Sequence, residues 1–128
     1  MAVTYRIAPD EGIVYLKTTG DATFVEWREA VLSALSDPDY RKGFNFLSDR
    51  RGQAGVPDTE FARAGAALFR EHSAAMGGCR WAAVVGRDAL FGMARMFSTF
   101  SEGTCIQVAA FGDYEDARRW LAGYTPEV

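Results

Sequence analysis

FNFLSDRRGQAGVPD, residues Phe44 to Asp58, is the stretch whose reading decides the fold. A short apolar run, Phe44 to Leu47, ends in Ser48, Asp49, Arg50 and Arg51, then passes through Gly52, Gly55 and Pro57 before a helical pattern begins. That is the pattern of a central strand and its outgoing loop, because glycine and proline punctuate turns. In open α/β sheets ligands are met just beyond the carboxyl ends of the strands, so the polar residues crowded there are the first candidates for a site.

Upstream, Val3, Tyr5 and Ile7 alternate with Thr4 and Arg6, the period-two pattern of a strand with one wet face. Ile13 to Thr18 reads as a second strand, and Pro9-Asp10-Glu11-Gly12 supplies the preset φ and the permissive glycine of a hairpin connection. Thr23 and Glu26 have the spacing of a capping box. The helix they open carries Phe24, Trp27, Val31 and Leu35 at helical spacing and runs to about Ser36, since Pro38 cannot continue it.

Downstream, Asp58 or Thr59 can cap a second helix with Phe61, Ala64, Gly65, Leu68, His72 and Ala75 near one face, closed by Gly77-Gly78. Its middle, Ala64 to Ala67, is slim enough for a close approach by a sheet, a helix or a ligand tail. Trp81 to Val85 is continuously apolar, as an interior strand requires. A third helix follows Arg87-Asp88 and spreads Leu90, Met93, Ala94, Met96, Phe97 and Phe100 over a wide stripe. Cys105 to Phe111 is the last strand, and Asp113 caps a final helix held by Ala117, Trp120 and Leu121.

The order β-β-α-β-α-β-α-β-α predicts an α/β domain with a mixed, mostly parallel five-stranded sheet. Right-handed crossovers put the strands in sequential order and the helices mainly on one face. Thr4, Arg6, Asn45, Asp49 and Gln107 fit the less covered face, where a protein partner or dimer mate could dock.

The 128 residues, 48% hydrophobic and 24% charged, suit one soluble globular domain spanning residues 1–128. No apolar run reaches bilayer length and MAVTYRIAPD lacks the segments of a signal peptide, so the expectation is a cytoplasmic protein without a transmembrane segment. A net charge of −3 argues against nonspecific nucleic-acid binding. Cys79 and Cys105 lack metal-ligand spacing and read as reduced, mostly buried thiols; no metal or cofactor is expected.

The opening YRIAPDEGIVYLKTTGDATFVEW, the FNFLSDRRG strand end, RWAAVVGRDALFGMARMF and the closing VAAFGDYEDARRWL together resemble bacterial proteins of the SpoIIAA-like, or STAS, superfamily. The resemblance implies a regulatory domain acting through protein association. In the anti-sigma-factor antagonists of that superfamily an Asp-Ser-Ser-Gly type turn carries a serine whose phosphorylation breaks the complex. Here the matching segment is Asp49-Arg50-Arg51-Gly52, with arginines where the hydroxyls should stand. The chain also resembles the CRAL-TRIO lipid carriers, which implies an apolar cavity beneath the sheet.

Two candidate sites follow. Ser48, Asp49, Arg50, Arg51 and Arg87 form a polar rim for an anionic ligand or acidic partner, or else a solvated turn in which Ser48 bonds the local backbone. Leu90, Met93, Met96, Phe97 and Phe100, with Phe61 and Leu68, supply an apolar pocket or a homodimer surface, although ordinary core packing explains the same stripe. In the pocket alternative a lipid or small apolar molecule is bound, with Arg50 or Arg87 at its polar head. His72 is the one histidine, and no nucleophile is placed beside it by spacing, so no catalytic role is assigned and the chain is expected not to be an enzyme.

Overall fold

The computed structural model describes residues 2–55, 58–86 and 88–123. The elements are β1 (Val3–Ala8), β2 (Ile13–Gly20), α1 (Phe24–Leu35), β3 (Asn45–Gln53), α2 (Thr59–Glu71), α3 (Ser73–Met76), β4 (Cys79–Val84), α4 (Asp88–Phe100), β5 (Ile106–Phe111) and α5 (Tyr114–Ala122). The five strands lie in the order β1-β2-β3-β4-β5, with β1 antiparallel to β2 and every later pair parallel. This is the expected α/β architecture.

Local chemistry sets several boundaries where the sequence placed them. Gly12, at φ +69°, turns the first hairpin so that Ala8 pairs with Ile13. Thr23 Oγ1 accepts from the Glu26 amide at 3.2 Å and Glu26 Oε1 accepts from the Thr23 amide at 3.0 Å, the reciprocal capping box at the start of α1. Asp58 rather than Thr59 caps α2, accepting from the Phe61 amide at 3.0 Å.

Three expectations need correction. First, β3 does not end at Leu47; it continues through Ser48, Asp49, Arg50, Arg51 and Gly52 to Gln53, because β2 also extends beyond Thr18, to Gly20, and keeps pairing with it. Second, the helix after the loop is broken at His72 into α2 and the short α3. Third, Cys105 is exposed rather than buried; only Cys79 lies inside, where burial pushes its thiol up to about 12.

The helices divide between the faces for a topological reason. α1, α2 and α4 are crossovers stepping the same way along the sheet, and right-handedness puts them on one side. α5 follows the last strand and is not so constrained; it packs on the opposite face, with Ala117 and Leu121 against Leu47, Ala82 and Val84. Asn45 ties it down, donating to the Leu121 carbonyl at 3.2 Å and accepting from the Arg80 amide at 2.8 Å.

The main core lies under the three crossover helices. Trp27, 0% exposed, is its centre, with ring centroids of Phe61, Trp81 and Phe97 at 5.7, 5.8 and 6.1 Å. Trp81 stacks on Phe46 at 4.8 Å across the β3–β4 pair. Gly65 lets α2 meet α4 closely: a Cβ built there would stand 2.4 Å from Phe97 Cε2. Among the described residues no helix is long and apolar enough to cross a membrane.

Candidate functional site

Side chains along a strand alternate between faces, and this separates the polar residues of β3. Ser48 and Arg50 point with Phe46 into the helix-covered core, whereas Asp49 points with Leu47 to the α5 side. The expected single polar rim is therefore two sites on opposite sides of the sheet. Arg87 lies outside the described residues, as does the side chain of Leu90.

The alternation is then reset by a bulge. Lys17 pairs with Asp49 but Thr19 pairs with Gly52, so Arg50 and Arg51 together oppose Thr18. An extra residue of this kind re-aims the side chains that follow it. Its consequence is that Gln53, three residues beyond Arg50 rather than two, shares the buried face, and Gln53 Oε1 accepts a 2.9 Å hydrogen bond from Arg50 Nη1.

Arg50 is 7% exposed, and no carboxylate pairs with it among the described residues. Its guanidinium carbon lies 5.3 Å from the Phe61 ring centroid and 6.0 Å from that of Trp27. Burial alone lowers its pKa to about 10, so it remains a cation at neutral pH. With Trp27, Trp81, Ala83, Val85, Met93, Ala94, Phe97 and Val108 it lines a cavity of about 20 Å3. Trp27 Nε1 and the hydroxyls of Ser48 and Thr18 are buried without a hydrogen-bond partner among the described residues. Ser48 thus does not make the local backbone bond expected of it.

The α4 stripe resolves in the same way. Met93 and Phe97 are buried and line this cavity, while Met96 and Phe100 are partly buried against the same core. Of the lining, Trp27 and Trp81 carried no functional signal in the sequence and read only as core residues, and neither did Gln53, which supports Arg50 from outside the lining.

On the other face Arg51 is bidentate to Asp49, with Nε at 2.9 Å from Oδ1 and Nη2 at 2.9 Å from Oδ2. These bonds hold the Asp49 carboxyl below its ordinary range. Arg51 also lies over Tyr114 of α5, 5.0 Å from its centroid. They border an open concavity of about 350 Å3 that includes Arg6, Tyr15 and Lys17. Beside it Tyr15 donates to Glu11 at 2.5 Å, and Arg118 reaches the same carboxylate at 3.3 Å.

His72 sits at the α2–α3 junction, 4.0 Å from Glu71. Ser73, next in the chain, donates instead to the Arg70 carbonyl at 3.2 Å. No group of three potential metal ligands occurs among the described residues.

No protein-family model and no curated protein matches the sequence. A solved structure does: the crystal structure of an uncharacterized protein from the DUF3478 family, from Shewanella loihica PV-4, with a SpoIIAA-like fold. It superposes with a TM-score of 0.61 at 19% identity, covering 94% of this chain and 92% of that one. The chain has a SpoIIAA-like fold. Within that fold, Asp49 to Gly52 is bulged strand and not the turn between strand and helix, so the segment that resembled a switch turn lies inside the sheet.

Proposed function

We propose that this SpoIIAA-like chain is a cytoplasmic, non-enzymatic binding domain that takes a small, largely apolar molecule between α4 and the carboxyl ends of β3 and β4. The observation that carries the proposal is the cavity bounded by Trp27, Trp81, Met93 and Phe97, apolar walls around one buried cation. Binding sites for small molecules have this composition, mostly apolar with few polar groups. Methionine on α4 can change rotamer around a guest. Titration of the purified chain with the neutral dye Nile red tests this. Saturable binding that weakens in Ala94→Phe, which fills the cavity from α4, is expected; identical binding by both proteins, or none, overturns it.

A second reading is association with another protein or a second copy across the α5 side of the sheet. Its support is the open polar concavity beside Asp49, Arg51 and Tyr114. Sedimentation of the chain and of Arg51→Ala over a range of concentrations tests the homodimer; a monomer at every concentration removes it.

A further inference from the structure

We infer that the interior site is built around the carboxylate of its ligand, with Arg50 as the receptor for that group. The inference rests on the apolar-ligand reading and specifies the polar end of the ligand.

A guanidinium removed from water is costly unless an opposite charge or a full set of acceptors replaces the water. Among the described residues the Arg50 guanidinium makes one hydrogen bond, to the neutral Gln53 side chain. Its five N–H donors form a rigid fork suited to a two-oxygen acceptor. The bulge that puts Gln53 on the buried face fixes that fork beside the cavity.

A second observation is independent of Arg50. Trp27 lines the same cavity, and its indole Nε1, fully buried, has no acceptor among the described residues. Indole can only donate, so the group that satisfies it must be an acceptor. The hydroxyls of Ser48, two residues before Arg50, and Thr18, opposite the bulge, add further unpartnered polar atoms on this face of the sheet.

Charge decides between anions. Among the described residues Arg50 is the one ionisable side chain lining the cavity, which matches a carboxylate of charge −1. A phosphate monoester carries about −1.5 to −2 and three acceptor oxygens, more than one guanidinium balances. The cavity of about 20 Å3 has room for about one water-sized group before its walls move. The tail then needs Met93 to change rotamer, since Phe97 is held by Trp27 and Phe69.

The test uses the full chain with decanoate, 1-decanol and decyl phosphate, followed by tryptophan fluorescence. Decanoate should bind about tenfold or more tightly than decanol, as a charge-assisted hydrogen-bonded pair implies, and more tightly than decyl phosphate. Arg50→Met should abolish the preference for decanoate over decanol. Trp27→Phe, which keeps a ring and removes the N–H, should weaken decanoate several-fold; it serves where Arg50→Met does not fold. Equal binding of decanoate and decanol by the unmodified chain overturns the carboxylate and leaves the apolar site standing. Tighter binding of decyl phosphate also overturns the carboxylate, and binding of none of the three overturns both readings.

Discussion

Arg50 and Arg51 are neighbours in sequence and lie on opposite sides of the sheet, Arg50 buried against Trp27 and Phe61 and Arg51 paired with Asp49 beneath Tyr114. Among the described residues one carries a charge without a carboxylate in the core, and the other an ordinary ion pair at the surface. Their substitutions should therefore behave in opposite ways.

Arg50→Met keeps much of the side-chain volume and removes the desolvation cost. Exchanging buried ionic groups for apolar ones of similar volume is often neutral or stabilising by about 1–4 kcal/mol. Loss of the aromatic contacts opposes this by about 0.5–2 kcal/mol. The expected result is stability between about 1 kcal/mol below that of the unmodified chain and about 3.5 kcal/mol above it, measured by urea unfolding without ligand. A loss of more than about 1 kcal/mol would assign Arg50 a structural role instead.

Why Arg50 could not be distinguished from Arg51 in the sequence is physical. The capping box at Thr23 is a local code and was legible, as were the strand order and the apolar stripes, which follow from periodicity and handedness. The extension of β3 past Leu47 depends on pairing with Lys17 to Gly20, far away in the chain, and its polar residues imitate a loop. The bulge that brings Gln53 to Arg50 has no local signature either. For α5, Ala117 and Leu121 announced a buried stripe but no crossover rule said which face of the sheet would receive it.

Asn45 links α5 to the sheet through the Leu121 carbonyl and the Arg80 amide. Asn45→Ala removes both bonds from a buried place and should cost about 1–3 kcal/mol. Hydrogen exchange should show the loss first in α5, with the amides of β4 less affected. Uniform loss across all elements would mean that α5 does not open separately.

The Asp49 carboxyl has a folded-state pKa below its unfolded one, first because of the Arg51 side-chain bonds, then the Arg51 amide and the charges of Arg51 and Lys17, against an opposing effect of burial. A depressed carboxylate stabilises above the unfolded pKa, about 4, and that contribution disappears as the pH falls through the folded value. Arg51 is half exposed, so solvent screening limits the contribution to less than about 1 kcal/mol. Urea midpoints of the unmodified chain and Asp49→Asn should differ at neutral pH and draw together as the pH falls below about 4 through the folded value. A gap that stays constant between those conditions would exclude the linkage.

Gly65 is where α2 comes closest to α4. Alanine suits a helix better than glycine by about 1 kcal/mol, so Gly65→Ala would stabilise an unobstructed helix. Here the added Cβ would stand 2.4 Å from Phe97 Cε2 and 2.8 Å from Cζ. Phe97 cannot simply swing aside, being held by Trp27 and by Phe69, whose ring centroid is 5.0 Å away. Overpacking of this kind costs about 1–3 kcal/mol, which outweighs the helical gain and gives a net loss of about 1 kcal/mol. Phe97→Leu removes the obstructing ring, so adding Gly65→Ala to it should be neutral or stabilising. A double-mutant cycle in urea measures this coupling, and additive effects would show that the Gly65–Phe97 contact does not set the separation of α2 and α4.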